Sequence, residues 1–134
     1  MTGPARARFG VVRDWMTRAP AAVGPECSIE AALQRMRDAE VRHLLVVDAD
    51  RLVGIVSSRD WRRIDAGTPG GAGRPIAGIM SEDPVTVAPE TPVAVAARTL
   101  LERRIGCLPV REGEIIIGMF TRSDALDALL SALG

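Results

Sequence analysis

Two stretches decide how this chain folds: Gly54-Ile55-Val56-Ser57-Ser58-Arg59-Asp60 and Gly118-Met119-Phe120-Thr121-Arg122-Ser123-Asp124. Each reads as an apolar strand running straight into the first turn of a helix, with a hydroxyl at the junction and a carboxylate three residues later. A helix start leaves backbone N–H groups without intrahelical partners, which makes such a junction a place for an anion. The carboxylate is suited to accept hydrogen bonds from the vicinal hydroxyls of a sugar. The same residues also read as a plain cap, because Thr121-x-x-Asp124 ahead of an apolar run is a capping-box sequence.

Outward from these stretches, an internal repeat appears at a shift of 64 positions. It pairs Met16 with Met80, Pro20 with Pro84, Val23 with Val87, Pro25-Glu26 with Pro89-Glu90 and Ala32 with Ala96. It continues through Leu44/Leu108, Val46/Val110, Gly54/Gly118 and Asp60/Asp124, giving ten identities over 45 ungapped positions. About three would arise by chance at ordinary composition. The two halves are copies of one unit.

Both copies predict the same order of elements. An extended segment (Ala21-Ala22-Val23 or Val85-Thr86-Val87) leads through a Pro-Glu turn to a helix. Thr91 as N-cap with Pro92 at the first helical position starts the second helix, while the first starts at Cys27 or Ser28. Ile29, Ala32, Leu33 and Met36, and correspondingly Val93, Ala96, Ala97 and Leu100, form one apolar face. Two strands follow, 44–47 and 52–56 in one copy, 107–110 and 115–120 in the other, with turns at 48–50 and 112–113. Pro109 removes a ladder donor and places its strand at an edge or beside a gap. A second helix closes each copy; the last runs from Asp124 to about Leu133, with Leu126, Leu129, Leu130 and Leu133 on one side as core contacts or a dimer seam.

The expected organisation is an arm at 1–10, repeat one at 11–64, a Gly/Pro-rich linker at 65–75 and repeat two at 76–134. The fold class is α/β (α+β): two β-α-β-β-α repeats with small three-stranded sheets, packed as a pseudo-two-fold pair. One such unit cannot bury both faces alone.

Composition narrows the function. The 17 basic residues, all Arg, cancel 17 acidic ones, so no general field draws nucleic acid or an anionic membrane. The Arg-bearing stretches 59–63 and 98–104 read as solvated helix faces. Cys27 and Cys107 form no metal-binding spacing, and with no secretion signal visible they point to a reducing, cytoplasmic setting. No apolar run is long enough for a bilayer. A metal-ligand cluster, a nucleophile with a placed His, and a P-loop are all missing, so no catalytic or metal residues are assigned and an enzyme is not expected. The lone His43 reads as a hydrogen-bonded structural residue, Cys107 as a small buried one, and Trp15 and Trp61 as packing.

The lead-ins Val12-Arg13-Asp14-Trp15-Met16 and Ile76-Ala77-Gly78-Ile79-Met80 carry a resemblance, together with Asp83-Pro84-Val85-Thr86-Val87, Leu108-Pro109-Val110 and the two endings at 54–60 and 118–124. Over roughly residues 11–130 the chain resembles a tandem of cystathionine-β-synthase-like (CBS) domains, a Bateman module. The resemblance implies a regulatory module that binds an adenosyl compound, AMP, ADP, ATP or S-adenosylmethionine, in clefts between repeats and signals to an effector protein, with no cofactor required.

Carried over, the ribose-binding acid falls on Asp60 and Asp124, the hydroxyl on Ser57 and Thr121, and the residue ahead of the acid on Arg59 and Ser123. The apolar purine shelf falls on Ile79, Ile105, Gly106 and Cys107 for Asp60, and on Trp15, Val41 and Arg42 for Asp124. The first copy has Leu45 where the family strand has Pro, so the two sites are unequal. Arg42, His43 and Arg59 offer a phosphate charge-assisted hydrogen bonds at the Asp60 site, whereas the Asp124 site has Arg122. The Asp60 site is therefore the favoured one. A homodimer is implied by the family. A ligand-free dimerisation or interaction module is the alternative, and nucleic-acid binding a more distant one.

Overall fold

The computed structural model describes residues 9–63 and 71–134, with backbone alone at 61–63 and 72. Most of the expected arm (1–10), part of the linker (65–75) and the side chain of Trp61 lie outside the described residues. The elements, in order, are α1 (Val12–Trp15), β1 (Thr17–Arg18), β2 (Ala22–Val23), α2 (Ile29–Ala39), β3 (His43–Asp48) and β4 (Arg51–Ser57). A 3-10 turn (Ser58–Arg63), two more short 3-10 turns (Gly71–Gly73 and Ile76–Gly78) and β5 (Ser81–Glu82) follow. The chain ends with α3 (Val93–Arg103), β6 (Cys107–Glu112), β7 (Ile115–Thr121) and α4 (Arg122–Leu133).

These elements form two compact units: a continuous one, Pro20–Pro84, and a discontinuous one, Met1–Ala19 with Val85–Gly134. The continuous unit holds a four-stranded sheet in the order β2-β3-β4-β5, and the discontinuous unit a three-stranded sheet in the order β1-β7-β6. The unit boundaries cut across the sequence repeats. β1, which follows the first repeat's lead-in, pairs antiparallel with β7 of the second repeat (Thr17 with Met119, Arg18 with Gly118). β5, which follows the second lead-in, pairs in the same register with β4 (Ser81 with Ile55, Glu82 with Gly54). The motif glycines make this possible. A Cβ on Gly118 would lie 2.7 Å from the Met16 sulfur and 2.8 Å from the Thr17 carbonyl oxygen, and one on Gly54 would lie 2.5 Å from the Met80 sulfur.

Each unit has its own apolar core. In the continuous unit it comprises Ala21, Ile29, Ala32, Met36, Leu44, Val46, Val56, Ile76 and Ile79, so the second repeat's lead-in supplies two of its members. In the discontinuous unit Val12 and Met16 join Val93, Ala96, Leu100, Leu108, Val110, Phe120 and Ala128. The expected helix faces are found: Ile29, Ala32 and Met36, and Val93, Ala96 and Leu100, are buried, with Leu33 and Ala97 half-buried at the margin.

One helix start falls within expectation and the other differs from it. Ser28 is the cap of α2, its Oγ accepting from the Ala31 N–H at 3.1 Å. In the second copy Pro92, not Thr91, is the cap residue, and its side chain makes no capping bond. The lead-in replaces it: the Val93 N–H donates to Gly10 O at 3.1 Å, as the Ile29 N–H donates to Arg74 O at 2.9 Å. An unpartnered helix donor needs an acceptor, and backbone from a distant segment serves as well as a side chain.

Pro109 acts as read. In the first copy the equivalent Leu45 donates its N–H to Ala21 O at 3.1 Å and β2 pairs with β3 over two residues. Pro109 has no N–H, pairing there falls to a single bridge, Val87 with Val110, and β6 is the edge of its sheet. One expectation is corrected. The first repeat closes with a 3-10 turn over Ser58–Arg63 among the described residues, where an α-helix was expected. Of the two readings of the α4 leucines, core contacts or a dimer seam, the first is ruled out: Leu126, Leu129, Leu130 and Leu133 are exposed, and Ala128 is the buried residue.

Candidate functional site

Each hairpin brings the residues before its first strand beside those after its second. In the continuous unit His43, opening β3, sits opposite Ser57, closing β4, and the Ser58 N–H donates to Arg42 O at 2.8 Å. In the discontinuous unit Cys107 sits opposite Thr121, and the Arg122 N–H donates to Gly106 O at 3.3 Å. The Arg122 side chain adds a second bond, Nε to Ile105 O at 3.2 Å.

The two acids hold the same position at these corners. Asp60 Oδ2 accepts the Ser57 N–H at 2.7 Å, with Ser57 Oγ at 3.4 Å from the same oxygen. Asp124 Oδ2 accepts the Thr121 N–H at 2.8 Å and the Thr121 hydroxyl at 3.1 Å. The Asp124 N–H returns to Thr121 Oγ1 at 3.3 Å, completing a reciprocal capping box. Asp60 is buried, at 9% exposure. The bonds to Oδ2 fix the plane of each carboxylate. Among the described residues Asp124 Oδ1 makes no hydrogen bond, so that oxygen is oriented by its partner and open to a donor. A third acid does the same work without a hydroxyl: Asp14 Oδ2 accepts the Val11 N–H at 2.9 Å at the start of α1.

Burial raises the Asp124 carboxyl above the usual carboxylate value, opposed by its two bonds from Thr121 and aided by the charge of Asp127. Burial also raises the Cys107 thiol well out of the neutral range, with the Asp124 charge adding to the effect. Cys107 is therefore a neutral thiol, matching its reading as a small buried residue. Trp15 is half-buried, its indole Nε1 donating to Phe9 O at 2.9 Å, which matches a packing role.

The structure brings Val41, Arg42, His43, Ser57, Arg59 and Asp60 to one unit, and Trp15, Ile105, Gly106, Cys107, Thr121, Arg122, Ser123 and Asp124 to the other. Arg42, Arg59, Arg122 and Ser123 are exposed, His43 is half-buried, and Ile79 is a core residue of the Asp60 unit. Within its own unit, each corner has the residues ahead of the hairpin's first strand beside it: Ile105, Gly106 and Cys107 lie beside the Asp124 junction, and Val41 and Arg42 beside the Asp60 junction. Antiparallel pairing within one hairpin is the reason. Sequence reasoning did not find Asp14, nor the packing of Met16 and Met80 on the motif glycines. The identity of those methionines in the 64-residue register was the signal.

Two copies of one small α/β unit, each ending in a hydroxyl-x-x-Asp corner, define a tandem-repeat module. The chain belongs to the CBS domain family, whose model matches residues 12–67 and 76–131. A CBS domain-containing protein of Dictyostelium discoideum is 31% identical, over 92% of this chain and 93% of that protein. An inosine-5'-monophosphate dehydrogenase of Korarchaeum cryptofilum is 34% identical over 89% of this chain, which spans 23% of that enzyme's length. Among solved structures, CBSX2 of Arabidopsis thaliana in complex with AMP is similar at 30% identity with a TM-score of 0.82, covering 92% of this chain and 98% of that one.

Proposed function

We propose that this chain is a regulatory CBS pair that senses an adenosyl nucleotide (AMP, ADP, ATP or S-adenosylmethionine) and passes its state to a partner protein, acting as a homodimer in the cytoplasm. Asp60 and Asp124 accept the ribose hydroxyls. Ser57 and Thr121 fix the carboxylates, and Arg42, His43 and Arg59 meet the phosphate of the nucleotide held by Asp60. Arg122 and Ser123 serve the other site. Val41, Ile79, Ile105, Gly106, Cys107 and Trp15 contribute to the purine surroundings. The observation that carries this reading is the pair of carboxylates at equivalent corners, each accepting the backbone N–H of the hydroxyl residue three positions earlier. The AMP complex of a 30%-identical CBS protein favours the ligand class. A regulatory role needs no catalytic group and no resident cofactor; the energy for signalling is the ligand's differential affinity for two states of the module.

Asp14 supports a second reading. It makes the same bond at a helix start with no hydroxyl beside it, as a cap and nothing more. A ligand-free interaction module would use Asp60 and Asp124 in that way. Thermal unfolding separates the two. A nucleotide at a hundredfold excess over its dissociation constant adds about 2.7 kcal/mol, or roughly 10 °C in midpoint for a chain of this size. An unmoved midpoint with AMP, ATP and S-adenosylmethionine would leave the interaction module standing.

A further inference from the structure

The two acid corners differ in charge. At the shift of 64 residues, Arg42, His43 and Arg59 of the Asp60 corner become Gly106, Cys107 and Ser123 at the Asp124 corner. Each exchange replaces a side chain able to carry positive charge with one that cannot. Both sets lie at their corners in the fold. His43 sits opposite Ser57 and Arg42 O accepts the Ser58 N–H, while Cys107 sits opposite Thr121 and Gly106 O accepts the Arg122 N–H. Arg42 and Arg59 are exposed, so a ligand arriving from solvent can reach their guanidinium groups.

The Asp124 corner is also the more acidic. Asp127, three residues along α4, acts on the Asp124 carboxyl with like charge; in the first copy's sequence Arg63 holds that place. Cys107 is buried and supplies no cation. One exchange runs the other way, with Arg122 at the Ser58 position, but it is exposed and its Nε is given to Ile105 O at 3.2 Å. A phosphate at the Asp124 corner would face two carboxylates and that one guanidinium. At the Asp60 corner it would face one carboxylate, two guanidinium groups and an imidazole. Repulsion of the wrong ligand gives specificity as attraction of the right one does. A cationic group in place of the phosphate turns the same two carboxylates from a cost into an attraction.

We propose that the two corners divide the adenosyl compounds between them, Asp60 holding a phosphorylated nucleotide and Asp124 a phosphate-free adenosyl cation of the S-adenosylmethionine kind. This rests on the reading of both acids as ribose acceptors and adds which ligand each one holds. The test is isothermal titration calorimetry with AMP and with S-adenosylmethionine on the wild-type chain, Asp60→Ala, Asp124→Ala and Ser123→Arg, with circular dichroism to verify folding. The aspartate variants should cross. AMP should lose affinity about tenfold or more with Asp60→Ala, and S-adenosylmethionine should lose as much with Asp124→Ala, each loss exceeding the one that the other variant causes. Ser123 is exposed, so Ser123→Arg keeps the fold and decides the matter even where Asp124→Ala unfolds. It gives the second corner the charge of Arg59 and should shift the ratio of the two dissociation constants about tenfold toward AMP. Parallel losses of both ligands, a wild-type chain that binds AMP but not S-adenosylmethionine, or a ratio unmoved by Ser123→Arg overturns the division while leaving nucleotide sensing in place. A wild-type chain that binds neither ligand overturns both.

Discussion

Asp124 shows how one side chain serves stability and recognition at once. Its Oδ2 closes the cap of α4, and burial raises its carboxyl above the ordinary 3.8. The unfolded chain releases that proton first as pH rises. From the ordinary value up to the raised one, the folded state holds more protons, and stability falls with rising pH. Asp124→Asn should flatten that decline in denaturation midpoints measured across the acid range; a wild-type profile equal to the variant's would contradict the assignment. Binding runs the other way, since a protonated carboxyl is a poorer acceptor for ribose hydroxyls, so affinity at this corner should grow through the same window. The acids and hydroxyls were legible in the sequence because their spacing is local, three residues on a helix start. Which residues sit beside each corner within its unit was not, because a hairpin's register decides that.

At the scale of elements, the lead-ins are what the repeat pattern concealed. The strands, the apolar helix faces and the effect of Pro109 follow from periodicity and backbone chemistry within short windows. The pairing of Thr17 and Arg18 with Met119 and Gly118 spans most of the chain and involves two residues, so no window contains its signal. Gly118 is the residue that pairing depends on. Its Cβ would meet a backbone oxygen 2.8 Å away as well as the flexible Met16 thioether, and the backbone cannot turn aside as a side chain can. Gly118→Ala should cost about 1–3 kcal/mol by overpacking, read as a lower urea midpoint at unchanged slope. A loss below a few tenths of a kcal/mol would mean β1 does not lie on β7 as described. The exposed leucines of α4 teach the reverse lesson: an amphipathic pattern fixes a face without saying what covers it.

At the scale of the whole molecule, the sequence repeats and the folded units are different objects. The gapless register made two copies of a CBS unit legible, yet each folded unit takes α1 and β1, or Ile76, Ile79 and β5, from the other copy. Two fragments cut within the linker, 1–66 and 67–134, should each lack part of a core and remain largely unfolded alone. They should regain the native circular dichroism spectrum when mixed, and a fragment that folds cooperatively by itself would contradict the exchange. The central claim is that the two equivalent acids hold the ribose of an adenosyl ligand. Isothermal titration calorimetry with AMP and 2'-deoxy-AMP, on the wild-type chain and on Asp60→Ala and Asp124→Ala, measures this directly. The account predicts AMP binding tighter than about 1 mM, a tenfold or greater loss, about 1.4 kcal/mol, in at least the Asp60 variant, and weaker binding of the deoxy form. Equal heats for AMP and its deoxy form, or binding indifferent to both aspartates, would contradict it.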